Sequence, residues 1–169
     1  MKRFLFILII FNLQSTAQRN QVNIWYFGGN AGIDFNSGIP IALTNGQINT
    51  DEGCASISDN NGVLLFYTDG LSVWDANHNI TPNGTGLSGG ASSTQSALIV
   101  KKPGSDSLYY IFTVDEEIII GKGNFSYSLF DRSLNSGWGD VVPAVKNIFL
   151  LDTVAEKLTA VKHTNNTDI

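Results

Sequence analysis

The residues Gly84-Thr85-Gly86-Leu87-Ser88-Gly89 spell G-x-G-x-x-G, a pattern whose bare backbone amides cradle a pyrophosphate when it joins a strand to a helix. Pro82-Asn83 stands where the strand should end, and Gly90-Ala91-Ser92-Ser93 where the helix should begin. The context argues for a flexible glycine loop, and no nucleotide or other cofactor is expected. The overlapping Gly86-Leu87-Ser88-Gly89-Gly90 spells G-x-S-x-G, whose serine needs a histidine base and a carboxylate on an α/β scaffold. Only His78 and His163 could serve as that base, and no α/β pattern surrounds them. Two histidines and one cysteine, without ligand-pair spacing, do not make a zinc site.

Asp75, Asn77 and Asn79 put oxygen ligands at alternate positions, as at the start of a calcium loop. Ile80 replaces the required glycine, and Gly86 stands where the bidentate glutamate belongs. That excludes an EF-hand and leaves two readings: a looser calcium site on Asp75, Asn77 and Asn79, or a polar hairpin turn. Metal ligands are therefore not expected beyond this weak candidate. The wider stretch from Asn77 to Ser93 is rich in hydrogen-bonding side chains. Asn77, His78, Asn83, Ser92 and Ser93 are the candidates for contacting a polysaccharide or a surface protein. Trp25, Tyr26, Phe27, Trp74, Tyr109, Tyr110 and Trp138 could stack on sugars or fill the core. Core is the expected role.

These residues need a scaffold, and composition says which kind. Glycine numbers 17 and asparagine is as frequent, while alanine and glutamate are scarce. Turn formers outweigh helix formers, so the class is all-β. Strand-length runs recur at Ile24 to Phe27, Pro40 to Leu43, Ala55 to Ser58, Val63 to Thr68, Ala97 to Lys101, Leu108 to Val114 and Phe125 to Asp131. Asp59-Asn60-Asn61-Gly62 supplies a tight hairpin turn between two of them. Lys102-Pro103-Gly104-Ser105-Asp106 does so between two others.

Laid over each other, the two hairpins match. Ala55-Ser56-Ile57 leads through its turn to Phe66-Tyr67-Thr68-Asp69, and Ala97-Leu98-Ile99 leads through its turn to Phe112-Thr113-Val114-Asp115. The alanines lie 42 residues apart, within the 40 to 50 expected of a β-propeller blade. The expected architecture is thus a set of β-propeller-like antiparallel blades, incomplete: about 52–94, about 95–150 and the start of a third near 156. For that third unit a strand at Leu158 to His163 is preferred over a helix, although Leu151, Val154, Leu158 and Val161 fall at helical spacing and Thr153-x-x-Glu156 fits a capping box. Asp69 and Asp115 hold equivalent places in the two units, which suits strand-end caps better than catalysts.

Ahead of all this stands a three-part N-terminus. Lys2 and Arg3 precede an apolar run from Phe4 to Phe11, and Ser15-Thr16-Ala17 supplies small residues for cleavage. Residues 1–17 read as a signal peptide handed to the export machinery and signal peptidase, leaving a domain of 18–169. Eight apolar residues are too few to span a bilayer, and no later run is long enough. Loss of Lys2 and Arg3 takes the net charge from −5 to −7, which argues against nucleic acid as a partner. Cys54 stands alone, forms no internal disulfide and reads as a small buried side chain in a strand.

Four stretches, Trp25 to Gly38, Glu52 to Asp75, Pro82 to Asp115 and Glu156 to His163, resemble a family of large secreted proteins of gliding Bacteroidetes-type bacteria. In that family an N-terminal propeller-like region is joined to a distant C-terminal sorting domain of the type IX secretion system, the gliding-motility-associated domain. The resemblance supplies no catalytic residues. It implies a non-enzymatic binding or adhesion module, a fragment of a larger cargo protein, with the sorting domain and most of the propeller missing from these residues. A propeller-type polysaccharide hydrolase or lyase using Asp69 and Asp115 is the alternative. The implied location is the cell surface or exterior for a full-length protein, and equally the periplasm for this chain.

Overall fold

The computed structural model describes residues 20–116 and 123–161. The signal-peptide reading of 1–17, and Lys162 and His163 of the third unit, fall outside them. The described residues are all-β and form three antiparallel sheets in sequence order. Sheet A holds β1 (Ile24–Phe27), β2 (Ala31–Asp34) and β3 (Ile41–Leu43). Sheet B is a four-stranded meander of β4 (Ala55–Ser58), β5 (Leu64–Thr68), β6 (Ser72–Asp75) and β7 (Ile80–Thr85). Sheet C holds β8 (Ala97–Lys101), β9 (Leu108–Val114), β10 (Gly123–Asp131) and β11 (Asp140–Val141) in that order. Strand β12 (Ile148–Val154) pairs with the first half of β10. Among the described residues no helix is long and apolar enough to cross a membrane.

Aspartates close the tight connections. Asp59 Oδ1 accepts from the amides of Asn61 and Val63, and Gly62 takes φ +84°, a conformation that costs glycine nothing. Asp69 Oδ1 binds the amides of Leu71 and Ser72, and Asp75 Oδ1 those of Asn77 and Asn79. Each short carboxylate holds the backbone in a bend that lets the next strand return.

The sheets stack in chain order through two apolar layers. Between A and B lie Tyr26, Ile48, Leu64, Tyr67 and Trp74. Between B and C lie Leu65, Phe66, Val73, Leu87, Tyr109, Ile111, Phe130 and Val141. First strands sit beside first strands, β1 against β4 and β4 against β8, and the fourth strands β7 and β11 also touch. Ser56 Oγ bridges β1 and β4, donating to Ile24 O at 2.9 Å and accepting from Tyr26 N at 3.3 Å.

The two matched hairpins share their opening register, Ala55 opposite Thr68 and Ala97 opposite Thr113. Their facing differs. Ile57 and Phe66 from sheet B, and Ile99 and Ile111 from sheet C, enter the same layer from opposite sides. Because side chains alternate with period two, a one-residue shift reverses every face. Matching Ser56 to Ala97, and hence Asp69 to Asp115, gives both sheets the same facing.

Three expectations differ from what the chain does. No strand or helix forms at Leu158 to Val161, which is irregular; among the described residues β12 is the last regular element, ending at Val154, and Glu156 binds Thr94 rather than capping a helix. The loop expected from Asn77 to Ser93 contains β7, with Pro82 on the sheet's edge strand, where its missing N–H costs no ladder bond. Cys54 lies just before β4 and is half-buried, with Sγ 3.3 Å from Tyr26 O.

Candidate functional site

Strand direction separates the sequence-derived binding residues. Asn77 and His78 occupy the β6–β7 turn at one end of sheet B, while Ser92 and Ser93 follow β7 at the other end. Asn83, within β7, is committed to sheet C. Its amide and side-chain nitrogens donate to the buried Asp140 carboxylate at 2.8 and 2.6 Å. Ser93 is fully buried and its carbonyl accepts from Gly53 N. Asp75, Asn77 and Asn79 form the Asx-type turn already described, in which one Asp75 oxygen faces two amides. Among the described residues no group of three His, Cys, Asp or Glu side chains converges on a point that could hold a metal.

His78 adopts φ +66° at its turn, and its partly exposed ring meets Tyr26 edge-on at 5.3 Å beside the A–B layer. Asn45 Nδ2 lies 2.7 Å from Nε2, and Tyr67 Oη lies 3.0 Å from Nδ1. The amide nitrogen can only donate, so Nε2 accepts and the ring proton sits on Nδ1. Burial pushes the His78 pKa down from 6.5, against a smaller opposing pull from Asp75. Tyr26 donates to Asn45 Oδ1 at 2.9 Å, and Tyr67 accepts from Gln47 N. Burial raises both phenol pKa values. The network anchors the strap from Thr44 to Cys54, which carries Ile48 into the core.

Of the aromatic residues weighed for sugar stacking, Tyr26, Trp74 and Tyr109 are core. Trp25 and Trp138 are each 47% exposed, a departure from the expected role. The G-x-G-x-x-G run begins inside β7, and no helix follows it. Its Ser88 amide donates to Asn147 Oδ1 at 3.0 Å, and His78, held at the far end of the sheet, is not positioned to activate that serine.

A concave site does form at the Ser92 end. A depression of about 390 Å³ is lined by Asn49, Thr50, Asp51, Glu52, Asp69, Leu71, Ala91 and Ser92. Three connections supply its walls: the strap ahead of β4, the β5–β6 turn and the loop after β7. Thr50 Oγ1 donates to Ala91 O and accepts from Glu52 N, each at 3.3 Å, joining strap to loop. Ser92 N donates to Glu116 Oε2 at 2.9 Å, which adds a fourth carboxylate nearby. The rim is thus rich in acceptors held by backbone-anchored turns, the chemistry that receives hydroxyl hydrogens from a polyol. No family model, curated protein or solved structure matches this chain.

Only Asp69 and Ser92 of this site stood out in the sequence. Asn49 to Glu52 carry no motif, and their one signal is a run of polar residues between two strand-like segments.

Proposed function

We propose that this chain is a secreted or cell-surface binding and adhesion module with no catalytic role, a partial β-propeller-like domain of a larger type IX secretion cargo of the gliding-motility-associated kind. The observation that carries the binding role is the acceptor-rich depression at Asn49–Glu52, Asp69 and Ser92. It is concave, polar and assembled from connections rather than strands, as binding sites on β scaffolds commonly are. Its ligand class is a polysaccharide whose hydroxyls donate to the carboxylates and to Asn49. The meander sheets, stacked first strand to first strand, support the propeller-like reading, because consecutive blades meet in that way.

The deciding measurement is glycan-array binding by the purified chain, repeated with Asp51→Asn/Glu52→Gln. These substitutions remove two acceptor charges from the rim without touching the core. Binding that falls at least about tenfold in the double variant, the loss of one to two good hydrogen bonds, is the expected result. Unchanged binding, or none to any glycan, overturns the proposal.

A further inference from the structure

The strap between β3 and β4, residues 44–54, belongs to no strand or helix, so it lacks the ladder bonds that hold its neighbours. Separate ties hold it instead. Asn45 is bound by Tyr26 and His78, Gln47 N donates to Tyr67 Oη at 3.2 Å, and Ile48 O accepts from Asn30 N at 2.8 Å. Further on, Thr50 Oγ1 donates to Ala91 O at 3.3 Å and Gly53 N to Ser93 O at 3.1 Å. These last ties flank Asp51 and Glu52, which with Asn49 and Thr50 form one wall of the depression.

The circuit at the head of the strap fits one arrangement of hydrogens. Tyr26 Oη donates to Asn45 Oδ1, Asn45 Nδ2 donates to His78 Nε2, and His78 Nδ1 donates to Tyr67 Oη, which also accepts from Gln47 N. It therefore needs a lone pair on Nε2. A second ring proton would set donor against donor across 2.7 Å. Turning the Asn45 amide over removes that clash but takes from Tyr26, which is 4% exposed, the acceptor for its hydroxyl hydrogen. A buried donor without an acceptor is destabilising, so either response loosens the strap. The titratable groups facing the ring are Tyr67 from β5, Tyr26 from β1 and Asp75 from the end of β6. Burial raises both phenols further above neutrality and lowers the imidazole, against a weaker opposing pull from Asp75.

We propose that His78 is an acid-released latch on the depression: the neutral ring ties down the strap and so sets the Asn49–Glu52 wall, and protonation lets the strap lift and the wall open. A glycan held at neutral pH is then let go in acid, a consequence that rests on the depression being the binding site proposed above. Because the tied strap prefers the neutral ring, the latch is shut above about pH 6.5 and opens as pH falls through the lower folded value.

Amide hydrogen exchange of the purified chain, followed by NMR and expressed as protection factors at about pH 7.5 and about pH 5, reads the latch without any glycan. Protection of the Gln47 and Gly53 amides should fall at least about tenfold in acid, the loss of about one good hydrogen bond, while the β9 amides of sheet C keep theirs. His78→Gln, whose amide can accept from Asn45 and donate to Tyr67 without titrating, should abolish the fall. Asn45→Asp should reverse it, because a carboxylate accepts from both Tyr26 and a protonated Nε2 and so ties the strap better in acid. A strap equally protected at both pH values, a fall that His78→Gln retains or Asn45→Asp leaves unreversed, or a loss at Gln47 that does not reach Gly53 overturns the inference. If His78→Gln fails to fold, the unsubstituted chain and Asn45→Asp decide between them. A depression that captures no glycan and a latch that ignores pH are thus separate failures.

Discussion

The two layers between the sheets are built from different materials. The B–C layer is dominated by stacked apolar rings, with Phe66 on Phe130 at 3.9 Å and Tyr109 edge-on to Phe66 at 5.5 Å. The A–B layer also stacks rings, Tyr26 on Tyr67 at 4.7 Å and Tyr67 on Trp74 at 5.5 Å, but each tyrosine there ends in a hydroxyl that joins the Asn45–His78 network. The first layer depends on volume and shape, and the second adds directional bonds that fix an irregular strap. An apolar layer resists acid; a layer that includes a histidine does not.

Substitutions separate these layers most sharply. Phe66→Ala removes a fully buried ring and should cost about 3–5 kcal/mol in denaturant unfolding. Tyr67→Phe keeps its ring stack and loses one hydroxyl, so it should cost only about 1 kcal/mol. Equal losses would mean that the A–B network carries more than its hydrogen bonds.

A smaller effect is a difference in pH response. The folded chain favours neutral His78, so the unfolded chain binds the extra proton more readily and acid favours unfolding. This contribution is complete above about pH 6.5 and is lost as pH falls through the depressed folded value. Thermal melts at stepped pH should therefore show an acid-side decline that is shallower in His78→Gln. A profile unchanged by that substitution would remove His78 from the account.

The smallest expected effect has the opposite sign and belongs to the B–C side. Thr113 is fully buried with its Oγ1 unpartnered among the described residues. Thr113→Val should stabilise the chain by a few tenths to about 1 kcal/mol, because it removes a buried hydroxyl at nearly constant volume. A loss of stability in chemical denaturation would show that the hydroxyl has a partner after all.

Legibility in the sequence follows chemistry in the same way. Strands made of β-branched and aromatic runs, such as Leu108 to Val114, were readable from composition, and so was the Asp59 turn between β4 and β5. Strands β6 and β7 were not, because Ser72–Asp75 is short and Ile80–Thr85 contains Pro82, Asn83 and Gly84. What makes them strands is tertiary: pairing with β5 in one case, and Asn83 bound to Asp140 in the other. Strand β12 was hidden by a helical spacing that its pairing with β10 overrides. The depression was half legible. Ser92 lay in a loop already picked out, but its opposite wall, Asn49 to Glu52, is brought there by a strap whose anchor, Asn45 on His78, leaves no trace in spacing.

The seam between β7 and the segment around β11 also sets an order of events. Asn83 waits for Asp140, Ser88 and the Gly86 carbonyl wait for Asn147, and the Asn83 and Thr85 carbonyls wait for Lys146, all 57 to 63 residues later in the chain. Local hairpins close as soon as they are made, but the outer strand of sheet B cannot be clasped until residues 140–147 exist. During synthesis, that edge is the last part of the sheet to lock. Release before Asn147 would leave it open to other chains.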